Sequence, residues 1–273
     1  DSNLRLAAEG NIVVGNLIAA NVSLYSASGA IVNAADSSLN VTAGQLRLES
    51  QGSIGASDRH LSVDVDTLSA ESKAGSIFIT AESGVVVGTV AVTVEELTSD
   101  AGTDSSSDAS QSGLTTLTEG DIVMVALIED VVVDETASAD GEGRIRLEAQ
   151  SGALSIDADI TSGSGLITLH AEGGLEVAES IFIDSAADVS LKSVSGSINL
   201  HGTATVEATD SSLRLTAEGD IVVGNLIAAN VSLYSASGAI VNAVDSSLNV
   251  TADQLRLEAQ ANIGVSGRHL SVD

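Results

Sequence analysis

The residues best suited to chemistry in this sequence are two pairs of aspartates. Asp64 and Asp66 lie one residue apart, as do Asp157 and Asp159, so each pair would project from the same side of a β-strand. Neighbouring carboxylates serve two kinds of chemistry, the cleavage of glycosidic bonds and the binding of hard cations such as calcium. The same residues also fit a solvated outer face that does no chemistry.

Dedicated calcium sites are not indicated by the motifs. The chain contains neither a D-x-[DN]-x-[DN]-G loop nor a G-G-x-G-x-D repeat, which are the patterns that build such sites. We therefore predict no cofactor and no resident metal, with calcium bound loosely at surface aspartates at most. The candidates for these weak contacts are Asp64, Asp66, Asp100, Asp104, Asp108, Asp157 and Asp159.

Groups for acid–base or nucleophilic catalysis are scarce. The chain has no Cys, and its four His residues lack the spacing of a zinc site. Sugar subsites usually need aromatic rings, whereas this sequence has only two Tyr, two Phe and no Trp. We predict no catalytic residue, and a polysaccharide-active β-helix enzyme remains only a remote alternative. The histidines are His60, His170, His201 and His269.

The elements that carry these residues follow a short repeat. A strand of the form L-x-L is followed by small or polar residues and then by Gly-x-Ile, as in Leu4–Ile12 and Leu213–Ile221. The period-two alternation predicts half-buried strands, and Gly and Asn at the corners fit positive φ angles. Typical intervals of about 20–23 residues suit one coil of three short strands. The predicted fold is an all-β parallel β-helix, or β-solenoid, with loop excursions.

A second, longer repeat divides the chain. Residues 1–64 recur as residues 210–273, with 54 identities in 64 positions. We predict one continuous solenoid over 1–273, in which 1–209 is a full unit and 210–273 begins a near-identical copy. Such copies indicate a part of a longer tandem array. The Ser/Asp-rich stretch 99–113 has almost no apolar residues and is predicted to be a flexible loop.

Composition excludes several partners. Proline is absent, which suits an unbroken hydrogen-bonded ladder because Pro cannot donate to one. The 10 basic and 38 acidic residues give a net charge of −28. Nucleic acid and anionic membranes both need a basic surface, so we expect neither as a partner and no membrane insertion.

The stretch 52–88 resembles the haemagglutinin-type repeats of large bacterial exoproteins, the filamentous-haemagglutinin-like adhesins. Those repeats carry a Gly-x-Ile-Gly, a short strand, a D-x-L and a G-x-I-x-I strand. The resemblance implies a right-handed parallel β-helix, secretion from a bacterium and a role in surface attachment. The sequence departs from the family in lacking a secretion domain and a binding module. The matching residues are Gly52, Ile54, Gly55, Leu61, Val63, Asp66, Leu68, Gly75, Ile77 and Ile79.

Two function hypotheses follow, both at the bacterial surface or outside the cell. The first is a rod-forming segment of a giant adhesin or surface exoprotein, with host or neighbouring-cell contacts made by modules elsewhere. The second is a structural subunit of a self-assembling filament or sheath. In both, the expected partners are neighbouring copies of the repeat, joined end to end. Glycosylation sequons recur at Asn21, Asn40, Asn230 and Asn249, for which chance is the leading explanation.

Overall fold

Short β-strands stacked in parallel dominate the structure. The computed structural model describes residues 2–35, 37–244, 246–266 and 269–273, and no residue within these ranges is helical. The strands form a β-solenoid of about 11 turns, in which a 25-stranded sheet winds around the long axis. The predicted all-β parallel solenoid is therefore confirmed.

The strands fall into four consecutive groups. The lower coils contain β1 Leu4–Ala8, β2 Ile12–Val14, β3 Leu17–Ile18, β4 Asn21–Ser26, β5 Ile31–Asn33, β6 Val41–Ser50, β7 Leu61–Ser72, β8 Ile77–Ala81 and β9 Val85–Val87. An excursion contains β10 Thr89–Val90, β11 Thr93–Leu97, β12 Thr103–Ser107 and β13 Gln111–Ser112. The middle coils contain β14 Leu114–Thr116, β15 Ile122–Ala126, β16 Val131–Val133, β17 Ala137–Ala139, β18 Ile145–Ala149, β19 Leu154–Ile156, β20 Ile160–Ser162, β21 Ile167–Ala171, β22 Leu175–Val177, β23 Phe182–Ser185, β24 Val189–Ser193 and β25 Ile198–Leu200. The upper coils contain β26 Thr205–Ala217, β27 Ile221–Val223, β28 Asn225–Ser235, β29 Ile240–Asn242, β30 Val250–Thr251 and β31 Gln254–Ala259.

Aliphatic side chains stack in rows along the interior. One row runs through Ile122, Ile145, Ile167, Val189 and Leu213, each paired in parallel with the next. Their numbers advance by 23, 22, 22 and 24, close to the predicted coil length, and each is at most 1% exposed. Strands about 4.8 Å apart bring every inward side chain against those above and below it. Small aliphatic residues therefore fill the narrow core without Phe or Tyr.

Corner glycines allow successive turns to approach closely. We expected Gly and Asn at the corners to have positive φ angles. Gly55 does have a φ of 70°, but no described glycine of the Gly-x-Ile corners and no described Asn has one. Gly152 lies outside that left-handed region, yet a Cβ there would come 1.8 Å from the carbonyl oxygen of Glu129 in the turn below. For Gly152 the expectation was wrong, because the requirement comes from the neighbouring turn rather than from its own dihedral angle.

The two sequence copies join without a linker. Strand β26 crosses the boundary between residues 209 and 210, and pairs with β23 through its first half and with β24 through its second. Both halves then pair with β28, with a register shift between Ala208 and Ser212. The hydrogen-bonded ladder thus continues from one copy into the next.

The 209-residue repeat is not a whole number of turns. The counterpart of Leu213 in the first copy is Leu4, which lies in the row of Val22 and Leu46. Leu213, however, lies in a different row, which has one residue in each turn. From the top downward its other members are Val189, Ile167, Ile145, Ile122, Ile77, Ile54, Ile31 and Ile12. The same segment therefore occupies a different side of the solenoid in the two copies.

This change of side occurs at β7 and β8. Ile54 pairs with Ile77, and Leu61 pairs with Ile79 two residues further along the same strand. Residues 55–60 form a tight loop between them, closed by an antiparallel bridge from Ala56 to Arg59. The side of the lower coil that contains Ile54 and the side that begins at Leu61 therefore both pair with the single strand β8 in the coil above.

The Ser/Asp-rich stretch 99–113 belongs to a β-hairpin where we predicted a loop. Strands β11 and β12 pair antiparallel over five residues each, and β10 pairs with β13 at the base. Thr and Ser favour extended structure when their hydroxyls pair across strands, as Thr93 Oγ1 and Ser107 Oγ do at 2.7 Å. The low content of apolar residues in this stretch therefore does not prevent it from forming regular secondary structure. We call residues 88–113 the hairpin.

Candidate interaction surface

The outer face of the first three coils carries a row of two arginines and a serine. Arg5 on β1, Ser23 on β4 and Arg47 on β6 are neighbours in register. Each stands between two inward-facing residues of its strand, so the alternation directs it outward. We call Arg5, Ser23 and Arg47 the first basic row.

The hairpin folds back over this row and pairs with both arginines. Arg5 Nε donates to Asp108 Oδ1 at 2.7 Å, and Arg47 Nε donates to the carbonyl oxygen of Ala109 at 3.2 Å. At the edge of the contact, Asn3 Nδ2 donates to the carbonyl oxygen of Thr93 at 2.7 Å. A segment about 90 residues away in the sequence thus covers the start of the solenoid.

Uncharged contacts close the rest of the interface. Gln111 Nε2 donates to the carbonyl oxygen of Leu48 at 2.9 Å, and Val90 and Val92 are only 1% exposed. As a result, Ser23 is completely buried although it points away from the core. Some polar atoms at the interface find no hydrogen-bond partner within the described residues, which costs stability. These atoms are Ser23 Oγ, Ser69 Oγ, Asp108 Oδ2 and Gln111 Oε1.

The basic row holds Asp108 in its charged form. Burial by itself raises the pKa of this carboxyl, but Ser23, the Arg5 hydrogen bond and the charges of Arg5 and Arg47 outweigh it, so the pKa is lowered. The Ser23 hydroxyl faces this carboxylate, although it lies outside normal hydrogen-bonding geometry. The Asp108 hydrogen bond in turn raises the pKa of Arg5. The interface is therefore a binding arrangement for a carboxylate.

Glu49 ties the first basic row to the next coil. It accepts hydrogen bonds from Arg47 Nη2 at 2.6 Å and from Lys73 Nζ at 2.5 Å. Burial opposes the charge of Glu49, yet these two hydrogen bonds and charges lower its pKa. The hydrogen bond to Glu49 correspondingly raises the pKa of Lys73.

The second sequence copy presents the same row uncovered. Arg214, Ser232 and Arg256 are again neighbours in register, and we call them the second basic row. No described residue of the chain lies over them, and the row lines a groove of about 520 Å³. Arg256 donates to Glu258 as Arg47 does to Glu49. Two arginines of the groove are therefore exposed to solvent.

The paired aspartates lie on the outer surface and do not converge on a metal site. Asp64 accepts a hydrogen bond from Ser83 Oγ at 2.5 Å, while Asp66 and Asp157 are exposed. Asp159 accepts from the backbone N–H of Phe182 at 2.8 Å. Within the described ranges, no group of three or more acidic or His side chains could hold a metal ion.

The other three calcium candidates belong to the hairpin. Asp100 lies in its turn, where hydrogen bonds from Thr98 Oγ1 and the Gly102 N–H lower its pKa. Asp104 is exposed on β12 and accepts a hydrogen bond from the backbone N–H of Ser105 at 2.9 Å. Asp108 is engaged with Arg5, so its carboxylate already has a cationic partner within the protein.

The histidines occupy separate places. His60 packs on Phe78, with ring centroids 5.7 Å apart, and burial lowers its pKa. His170 Nδ1 lies 3.5 Å from Glu148 Oε1, and His201 Nε2 lies 3.1 Å from Glu176 Oε1. His269 is exposed on the last coil.

Two of the four sequon asparagines lie inside the molecule. Asn40 is fully buried and donates through Nδ2 to the carbonyl oxygen of Val14 at 2.7 Å, while its Oδ1 accepts from the Ser62 N–H at 2.9 Å. Asn249 makes the equivalent bonds in the second copy. Both are structural groups that join neighbouring turns, so a glycan cannot be accommodated on either in the folded protein.

Sequence reasoning missed the basic rows. One signal was present: among only 10 Lys and Arg residues, Arg5 and Arg47 recur as Arg214 and Arg256 at outward positions. What the pattern did not contain was the partner, because the hairpin reaches the first basic row through the fold.

These features define the molecule as a β-solenoid in which the hairpin covers one basic row and leaves the other open. The described residues contain no helix long and apolar enough to cross a membrane. No protein-family model, no curated protein and no solved structure matches the chain.

Proposed function

We propose that this chain is a rod-forming repeat segment of a giant secreted bacterial adhesin or surface exoprotein, which supplies length rather than catalysis. The observation that carries the proposal is β26, a 13-residue strand that spans the boundary between the two copies and is paired on both sides of its register shift. A repeat whose join is itself a paired strand extends a rod without a hinge. The resemblance of residues 52–88 to haemagglutinin-type repeats supports secretion and surface attachment.

The surface chemistry supports a spacer. The net charge of −28 keeps rods apart sideways, because like charges repel over roughly a Debye length, about 10 Å at 0.1 M salt. The outward aspartates are accordingly proposed as a solvating surface, with loosely bound calcium at most. Binding to a host or neighbouring cell would then be performed by other modules.

The test is a two-unit chain, made by appending residues 65–209 after Asp273. One unit spans just over eight turns, and the 64 residues of the second copy already supply about three of them. At about 4.8 Å per turn, the appended residues should therefore lengthen the rod by about 25 Å at constant cross-section. Small-angle X-ray scattering measures both quantities. A compact or bent two-unit particle would contradict the proposal.

A structural subunit of a self-assembling extracellular filament is the second candidate. Val13 and Ile18 on the first coil and Ile263 and Val272 on the last are exposed, and uncovered strand edges invite pairing with another chain. This candidate requires end-to-end association of copies, with lateral bundling when salt or calcium screens the carboxylates. Electron microscopy with and without added salt or calcium distinguishes the two, because filament subunits should bundle sideways whereas a spacer stays in single rods.

A further inference from the structure

The chain contains the same outer face twice, once occupied and once open. All three residues of the first basic row are retained in the second. The first row is covered by the hairpin, which places Asp108 on Arg5 and the Ala109 carbonyl on Arg47. The occupied face therefore defines which ligand the open face fits.

The hydrogen-bonding groups of the occupied face, two arginine donors and one carbonyl acceptor, have counterparts in the open one. Arg214 stands where Arg5 receives the Asp108 carboxylate, and Arg256 stands where Arg47 receives a backbone carbonyl. The carbonyl of Leu257 corresponds to that of Leu48, to which Gln111 donates. One contact is not reproduced, because Ser212 replaces Asn3. Charge complementarity is retained, since an acidic hairpin meets two arginines.

We propose that the second basic row is a docking site for a second hairpin of the 88–113 sequence, supplied by a further unit of this repeat on the same rod. The proposal rests on the proposed tandem function, because only a continued array places that hairpin next to this face. Each hairpin would then clamp the start of its own unit, as residues 88–113 clamp the first three coils.

The absence of cysteine allows a direct measurement of occupancy. Ser232→Cys introduces one thiol in the middle of the open row, and its rate of reaction with a thiol reagent reports whether the row is covered. In the two-unit chain we expect this rate to fall at least about tenfold relative to the 273-residue chain, because reaction must await opening of the hairpin. Ser23→Cys in the shorter chain is the matched control and should already react slowly.

A second variant separates docking from folding. In the two-unit chain that carries Ser232→Cys, replacing the appended counterpart of Asp108 by Asn should restore fast reaction of the introduced thiol while the circular dichroism spectrum stays unchanged. Equal thiol reaction rates in the one-unit and two-unit chains would overturn the docking site, even where scattering shows the expected lengthening. Failure to lengthen would instead count against the proposed rod, whatever the thiol rate.

Discussion

Ser23 and Ser232 occupy the same position in two copies of one segment, and each has a paired strand on both sides, yet Ser23 is completely buried and Ser232 is partly exposed. The local strand pattern is the same in both copies and directs both side chains outward. What differs is the hairpin, which covers one copy and not the other. Local sequence thus determines the direction of a side chain on a solenoid, whereas a distant segment determines its burial.

In the interior the two copies should behave alike, and substitutions there should cause the largest losses of stability. Ile31 and its counterpart Ile240 are both fully buried, so Ile31→Asp and Ile240→Asp should each lower the free energy of unfolding by about 3 kcal/mol or more. Urea denaturation followed by circular dichroism measures the loss. A large difference between the two variants would show that the copies differ in their cores as well as on their surfaces.

The comparison should be sharpest at the central serines of the two rows. Ser23→Asp places a second carboxylate beside Asp108 under the hairpin, where charge repulsion and burial should cost about 1–3 kcal/mol. Ser232→Asp lies on the open row and should change stability by less than about 0.5 kcal/mol. The same denaturation experiment compares them. Similar midpoints for both variants would mean that the hairpin does not seal the first row in solution.

Low pH should selectively weaken the packing of the hairpin on the first basic row. The pKa values of Asp108 and Glu49 are lowered in the folded protein, so their stabilisation is complete above the unfolded pKa of about 4 and is lost as pH falls through the folded values. The protection of residues 93–107 against hydrogen exchange, relative to unstructured amides at the same pH, should therefore fall below about pH 4. Asp108→Asn should remove most of this pH dependence, and the variant would contradict our interpretation if its exchange kept the wild-type profile.

The smallest effect on stability is expected at Asp184, a carboxylate without an arginine partner. Burial and the neighbouring Glu207 raise the pKa of Asp184, with which Glu207 is paired in register. The ionised form of Asp184 is therefore unfavourable in the folded state above its unfolded pKa. Asp184→Asn should slightly stabilise the protein at neutral pH and have no effect well below about pH 4, as thermal melts at two pH values would reveal. Destabilisation at neutral pH would show that the carboxylate makes a favourable contact instead.

The coil pattern was predictable because its cause is local. Period-two alternation in each strand places Ile122 and Ile145 inside, and their spacing is the length of one coil. The hairpin was not predictable, since residues 99–113 are stabilised by hydroxyl pairs and by Arg5, a partner about 100 residues earlier at the start of the first unit. Asn40 is similar: as a sequence it is a sequon, but in the fold it joins two turns. Asp108 was identified as a charged candidate, although with calcium rather than an arginine in mind.

The mismatch between the 209-residue unit and the turn of the solenoid has a consequence for how such rods meet one another. Any feature carried once per unit, the hairpin included, points in a new azimuthal direction each time the unit recurs. Two parallel rods therefore cannot keep one chemical stripe in contact along their length. If the proposed rods meet, their contacts would be intermittent and would come from more than one side, which favours open meshes over flat ribbons.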